Sequence, residues 1–144
     1  MTALVEQQKN SIGYVELTYA ATQKLEYAKI KNLAGEFIKA DLHSVTLAAA
    51  AAAKRMPADF RVSIVAQPGK GVYPISTFTW LLIPVQIDDA AKGKIIVGFL
   101  EWMLAKGQTY AAGLDYAELP EQVVAQEKIA IAEVKVGPAV RATR

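Results

Sequence analysis

A mixed α/β fold is what this sequence predicts, and three observations carry the expectation. Residues 71–84, GVYPISTFTWLLIP, join a Gly/Pro turn to an apolar, β-rich run that a soluble chain must bury on both faces, as inside a covered sheet. Residues 60–67 alternate apolar with polar side chains, the period of a half-buried strand. Beyond Asp88, the pairs Ile95/Ile96, Phe99/Leu100 and Met103/Leu104 recur every four residues, the spacing of one helix face. Five strands with four or five helices accommodate these patterns.

Along the chain, residues 2–9 read as the last turns of a helix, and Asn10 and Ser11 lead into a β-rich segment beginning at Ile12. Residues 25–31 alternate, residues 32–35 supply a turn and residues 36–39 return, which predicts a hairpin with one solvated face. Asp41 stands as an acidic N-cap before a helix that contains the alanine run 48–53 and that Pro57 terminates. The alanines allow close packing against a neighbour. In residues 60–67, Phe60, Val62, Ile64 and Ala66 would share one face, and residues 68–71 break the strand. The next strand spans residues 77–83 and is expected to be buried. Asp88 and Asp89 open the helix with the four-residue stripe, which should face a core. Gly107 interrupts it before a second helical piece over residues 108–114, and Pro120 suits the first turn of a final helix whose buried side holds Val123, Val124, Ile131 and Val134. The tail, residues 137–144, has no periodicity and is expected to be loosely held.

Composition limits the function classes. With 144 residues, 53% of them hydrophobic and 21% charged, the chain can bury one sizeable core or two small ones and is not compositionally disordered. The net charge of +2 is scattered, so neither a nucleic-acid stripe nor a polybasic membrane anchor is indicated. No cysteine is present, which removes disulfides, thiolate metal sites and a cysteine nucleophile. No apolar run approaches the roughly 20 residues of a membrane span, and residues 1–10 lack a signal-peptide pattern. Made as written, the chain would be cytoplasmic.

Few residues offer chemistry. Gly69, Lys70 and Gly71 supply backbone amides and a cation in a turn, a weak candidate anion nest without phosphate-loop spacing; a plain β-turn is the preferred reading. Ser76, Thr77 and Thr79 carry hydroxyls, and strand propensity accounts for threonine there. His43 is the only histidine and has no second ligand at metal spacing, so no metal and no cofactor is predicted. Asp88, Asp89, Glu118 and Glu121 sit at helix starts, where carboxylates oppose the positive helix end. Trp80 and Trp102 are expected to supply buried bulk. With no nucleophile and base at a recognisable spacing, an enzyme is not expected.

Three motifs, SIGYVELTYA (residues 11–20), GVYPISTFTWLLIP (71–84) and LDYAELPEQVV (114–124), occur in an order and spacing that closely resemble the C-terminal part of the periplasmic phosphate-binding protein of phosphate ABC transporters. The resemblance runs from Ala3 to Val134. It implies a partial type II periplasmic-binding fold, a mixed sheet flanked by helices in two incomplete lobes. Residues 1–72 would end the second lobe, residues 73–136 would be the returning portion of the first, and residues 137–144 a tail. It also implies a hinge or crossover at Tyr73, Pro74, Ile75, Ser76 and Thr77. The family's Arg-x-x-x-Ser-Gly-Thr loop has no counterpart after Arg55 or Arg61, so no phosphate-binding residue carries over. The expectation is a non-enzymatic, periplasmic solute-binding component that takes inorganic phosphate only with a missing N-terminal half and serves a membrane permease. The alternative is a stand-alone structural or interaction domain. In both cases exposed sheet edges would call for a homodimer or a complementary fragment.

Overall fold

The computed structural model describes residues 1–138 and has the mixed α/β character expected from the sequence. Helix α1 covers Thr2–Gln7 and α2 covers Leu17–Thr22. Strands β1 (Ile30–Lys31) and β2 (Phe37–Ile38) form the predicted antiparallel hairpin, with Ile30 opposite Ile38 and Lys31 opposite Phe37. Gly35, at φ 82°, takes the left-handed position of its turn, where a side chain would be strained.

Helix α3 (Leu42–Ala53) begins where Asp41 predicts. The Asp41 carboxylate accepts from the Ser44 N–H at 2.7 Å, while the Ser44 hydroxyl accepts from the Asp41 N–H at 3.1 Å. This reciprocal cap satisfies two amides that the helix cannot, a contribution of about 1 kcal/mol. Ala48, Ala49, Ala52 and Ala53 are buried, so the alanine face does allow close packing. Ile64 and the half-buried Phe78 fill the space against Ala49 and Ala52.

The second sheet pairs β3 (Gln86–Ile87) with β4 (Lys135–Val136) in parallel, Gln86 beside Lys135 and Ile87 beside Val136. Parallel strands require a crossover. Here it comprises α4 (Ala90–Leu104), 3₁₀ turns at Lys106–Tyr110 and Ala112–Leu114, and α5 (Glu121–Ala132). Asp89 caps α4 by accepting from the Lys92 N–H at 3.0 Å. Gly93 presses α4 onto the strand pair, α5 packs on α4, and α5 also meets α3. Val123 on α5 is fully buried. Two further ties join the halves of the chain: the Thr46 hydroxyl donates to the Glu118 carbonyl at 3.2 Å, and that of Thr18 to the Leu114 carbonyl at 3.4 Å.

Several expected elements take another form, each for a local reason. Residues 12–16 are irregular and exposed, with no strand beside them among the described residues to complete a ladder. Residues 60–67 do not extend as a strand, because Phe60 and Ala66 adopt φ of 59° and 49°. The Gln67 side chain there donates to the carbonyls of Ser63 and Val65, occupying groups a ladder would use. Residues 77–83 likewise have no ladder partner among the described residues, and only Gln86–Ile87 downstream is paired. The α4 stripe is divided: Leu100 and Leu104 face the core, whereas Ile95 and Phe99 face out. Trp80 and Trp102 are 46% and 45% exposed rather than buried; Trp102 stacks on Phe99 with centroids 5.8 Å apart. Within the predicted tail, residues 139–144 lie outside the described residues.

Candidate hinge and anion-receiving turn

The turn at residues 69–72 meets the β1–β2 hairpin through two side chains, Asn32 and Glu36. Asn32 opens the hairpin turn: its N–H donates to the Glu36 carbonyl and its side-chain oxygen accepts from the Glu36 N–H, both at 2.9 Å. That arrangement turns the buried Asn32 amide nitrogen toward the neighbouring loop. It donates to the Val72 carbonyl at 3.2 Å and to the Gly69 carbonyl and Glu36 Oε2 at 3.4 Å.

Glu36 Oε2 in turn accepts from the Gly71 N–H at 2.8 Å. The Gly71 amide, the Asn32 amide and the Lys70 ammonium, in that order of first importance, hold the Glu36 carboxyl below its ordinary value, against a smaller upward push from burial. The turn therefore receives an anion, and that anion belongs to the chain itself. Gly69 (φ 135°) and Gly71 (φ 71°) sit where side chains are strained. A Cβ on Gly69 would come within 3.0 Å of Val72 Cγ2, and one on Gly71 within 3.2 Å of Leu47 Cδ1. Lys70 is exposed.

The five residues that follow are anchored unevenly. The Tyr73 N–H donates to the Ser44 carbonyl at 3.1 Å, tying the segment to the first turn of α3. Burial raises the Tyr73 phenol, and Tyr27 nearby adds to the shift. Pro74 is buried, and its carbonyl accepts from the Ala66 N–H at 2.8 Å. The buried Ser76 hydroxyl donates to the Tyr73 carbonyl at 3.1 Å, and the exposed Thr77 hydroxyl donates to the Phe78 carbonyl at 3.2 Å. Ile75 projects into solvent. Tyr73 is thus fixed to α3, Pro74 to Ala66 and Ser76 to Tyr73, while the backbone of residues 75–84 makes no main-chain hydrogen bond among the described residues.

The other residues considered from sequence lie elsewhere. His43 is exposed on α3, Asp41 and Asp89 serve as caps, and Glu121 lies in the first turn of α5. Among the described residues, no three His, Cys, Asp or Glu side chains gather closely enough to hold a metal ion, and no helix is long and apolar enough to cross a membrane. Sequence reasoning missed Asn32 and Glu36, which it absorbed into a surface ribbon. The available signal was an asparagine opening a turn with a carboxylate four residues on, a pattern in which one side chain replaces a backbone bond.

No family model matches the chain. It is similar to the phosphate-binding protein PstS of Xylella fastidiosa, 36% identical over 126 residues that make up 88% of this chain and 35% of that protein. Proteins of the same name from Haemophilus influenzae and Methanocaldococcus jannaschii are 31% and 33% identical, over 89% and 85% of this chain and 38% and 34% of their own lengths. The chain spans about a third of the length of the relatives it matches.

Proposed function

From this kinship with phosphate-binding proteins of the PstS type, we propose that the chain is the C-terminal part of a non-enzymatic, periplasmic solute-binding component of a phosphate ABC transporter. The observation that carries the reading is similarity along nearly nine-tenths of the chain to a protein of which it matches only 35%. Phosphate would be gripped by polypeptide that corresponds to the rest of those relatives and delivered to a membrane permease. Residues 1–72 belong to one lobe and residues 73–136 to the other, with Tyr73, Pro74, Ile75, Ser76 and Thr77 as the crossover between them.

Two geometric features support that division of labour. The Gly71 amide is already satisfied by the Glu36 carboxylate, which leaves the Gly69–Lys70–Gly71 turn poorly suited to a second anion. The crossover is anchored at Tyr73 and Pro74 and, among the described residues, free of main-chain bonds from Ile75 to Pro84, a change in restraint that suits a hinge.

Calorimetric titration with inorganic phosphate tests the proposal, first on residues 1–144 and then on the same chain combined with the N-terminal part of the Xylella fastidiosa relative. Heat of binding is expected only from the combination. Binding by residues 1–144 alone would place the anion site within this chain and overturn the assignment. A second reading, a homodimeric interaction domain without a transport role, draws on exposed Ile12, Tyr14 and Leu82; it requires a stable dimer and silence in both titrations.

A further inference from the structure

We propose that residues 114–118 are a clasp between the two parts of this chain, fastened by the hydroxyls of Thr18 and Thr46, and that it restrains their swing and so preorganises them for a ligand. The inference rests on the receptor reading above and adds to it two positioning residues that touch no ligand.

The loop is held firmly from its own side. The Leu114 and Tyr116 N–H groups both donate to the Ala111 carbonyl, at 2.9 and 3.0 Å, and Asp115 between them takes the left-handed conformation at φ 58°. The half-buried Gln108 fixes the far end: its side-chain oxygen accepts from the Leu119 N–H at 2.9 Å while its amide nitrogen donates to the Met103 carbonyl at 3.3 Å. Pro120 follows, and its carbonyl accepts from the Val123 and Val124 N–H groups that begin α5. The loop therefore moves as one piece with the end of α4 and the start of α5.

Two carbonyls of this loop meet the other part of the chain. Leu114 accepts from the Thr18 hydroxyl on α2, and Glu118 from the Thr46 hydroxyl on α3. A threonine inside a helix commonly bonds back to the carbonyl of the preceding turn, whereas the Thr46 hydroxyl reaches across to the loop. Both acceptors are main-chain, so the link depends on two hydroxyls and on the shape of the loop rather than on its side chains. Both bonds are long and exposed to water, so each contributes little and exchanges readily for solvent, as a fastening that opens requires.

Position explains what the clasp adds. Thr46 lies two residues beyond Ser44, whose carbonyl anchors the crossover through the Tyr73 N–H. The first turns of α3 thus hold the crossover and the loop side by side, and α5 packs on α3 next to them. Parts joined by a single unbonded segment and a small polar contact move relative to one another by default. A second link removes orientations that the crossover alone would allow, and apparent affinity scales with the fraction of molecules in the competent one.

The chain has no cysteine, so Lys54→Cys at the end of α3 and Lys128→Cys on α5, both exposed positions, take spin labels cleanly. Residues 1–144 should give one dominant label-to-label distance. Thr18→Val with Thr46→Val should add a longer population, lowering the ratio of clasped to unclasped molecules at least about fivefold, and Thr→Ser at both positions should keep the parent distribution. Gln108→Leu, which frees Leu119 and keeps both hydroxyls, should act like the valine pair and decides the matter if that pair does not fold. Combined with the N-terminal part of the Xylella fastidiosa relative, the valine pair should bind inorganic phosphate about fivefold more weakly than the parent, with serine restoring it. An unchanged distance distribution, serine behaving as valine, or equal or tighter phosphate binding by the valine pair each overturns the inference. No phosphate heat from the parent combination overturns the receptor reading instead, while the distances, measured on the chain alone, still decide whether the clasp exists.

Discussion

Replacing Gly93 by alanine sets two effects of opposite sign against each other. Gly93 lies within α4, where alanine is favoured over glycine by about 0.8–1 kcal/mol. Its added methyl, however, would stand 2.7 Å from Val136 Cγ1, 3.0 Å from Val136 Cγ2 and 3.3 Å from Ile87 Cγ2. The closest of these is roughly 1 Å inside the ~3.5–4.0 Å optimum for carbon atoms. Val136 is β-branched and stiff at χ1, so relief requires moving β4 away from α4. Overpacking of this kind costs about 1–3 kcal/mol. The clash outweighs the gain, and Gly93→Ala should lose up to about 2 kcal/mol net, a fall of up to about 1 M in urea midpoint for a typical slope of about 2 kcal/mol/M. Gly98 is the internal control. It lies in the same helix with nothing within 4 Å of its Cβ position, so Gly98→Ala should gain about 0.8 kcal/mol from helix propensity alone. Adding Val136→Ala to Gly93→Ala removes the methyls it strikes, and the pair should cost less than the sum of its parts by about 1 kcal/mol. Equal midpoints for Gly93→Ala and Gly98→Ala would refute the claim that α4 rests on β4 at this point.

Two carboxyls give the stability a pH signature with opposite signs. Glu36 is held below its ordinary value of 4.5, so the stabilisation it contributes is present above 4.5 and lost as pH falls through the lower folded value. Glu36→Gln should therefore show a flatter decline in urea midpoint than the parent between about pH 5 and about pH 3, and parallel declines would show that the Gly71 contact contributes nothing. Glu127 is raised by burial, so its charged form is the costly one and the penalty grows as pH rises from 4.5 through the folded value. Glu127→Gln should be more stable than the parent at about pH 7, with the difference closing below about pH 4; a variant less stable at neutral pH would mean that the carboxylate has a partner.

The elements legible in the sequence are those that short-range chemistry decides. Asp41 and Asp89 mark their helices because a cap bonds amides only three residues away. The hairpin follows from a turn of four residues, and α5 starts one residue after Pro120. Residues 60–67 mislead because period-two alternation says nothing about φ, and the Gln67 side chain competes for the backbone that a strand would use. The composition of residues 77–83 predicts a covered strand, yet among the described residues no strand pairs with them and Leu81 and Leu82 are exposed, because composition alone does not supply a ladder partner. At the candidate site, glycine identity marked the 69–71 turn, since only glycine adopts those angles without strain. The group that fills it, Glu36, lies 35 residues away from Gly71, and no local pattern connects the two.

The parallel register of β3 with β4 also sets an order of assembly during synthesis. The hairpin and α3 can form as soon as their own residues emerge, but Gln86 waits for Lys135, roughly fifty residues later. At about 5–20 residues per second that interval lasts roughly 3–10 s. Throughout it the face of α4 that carries Gly93 has no β4 to rest on, and an uncharged apolar stretch precedes it in the open. The nascent chain is thus most adhesive after its first half has folded and before its last strand arrives, which makes that interval the natural point for a holding chaperone to engage.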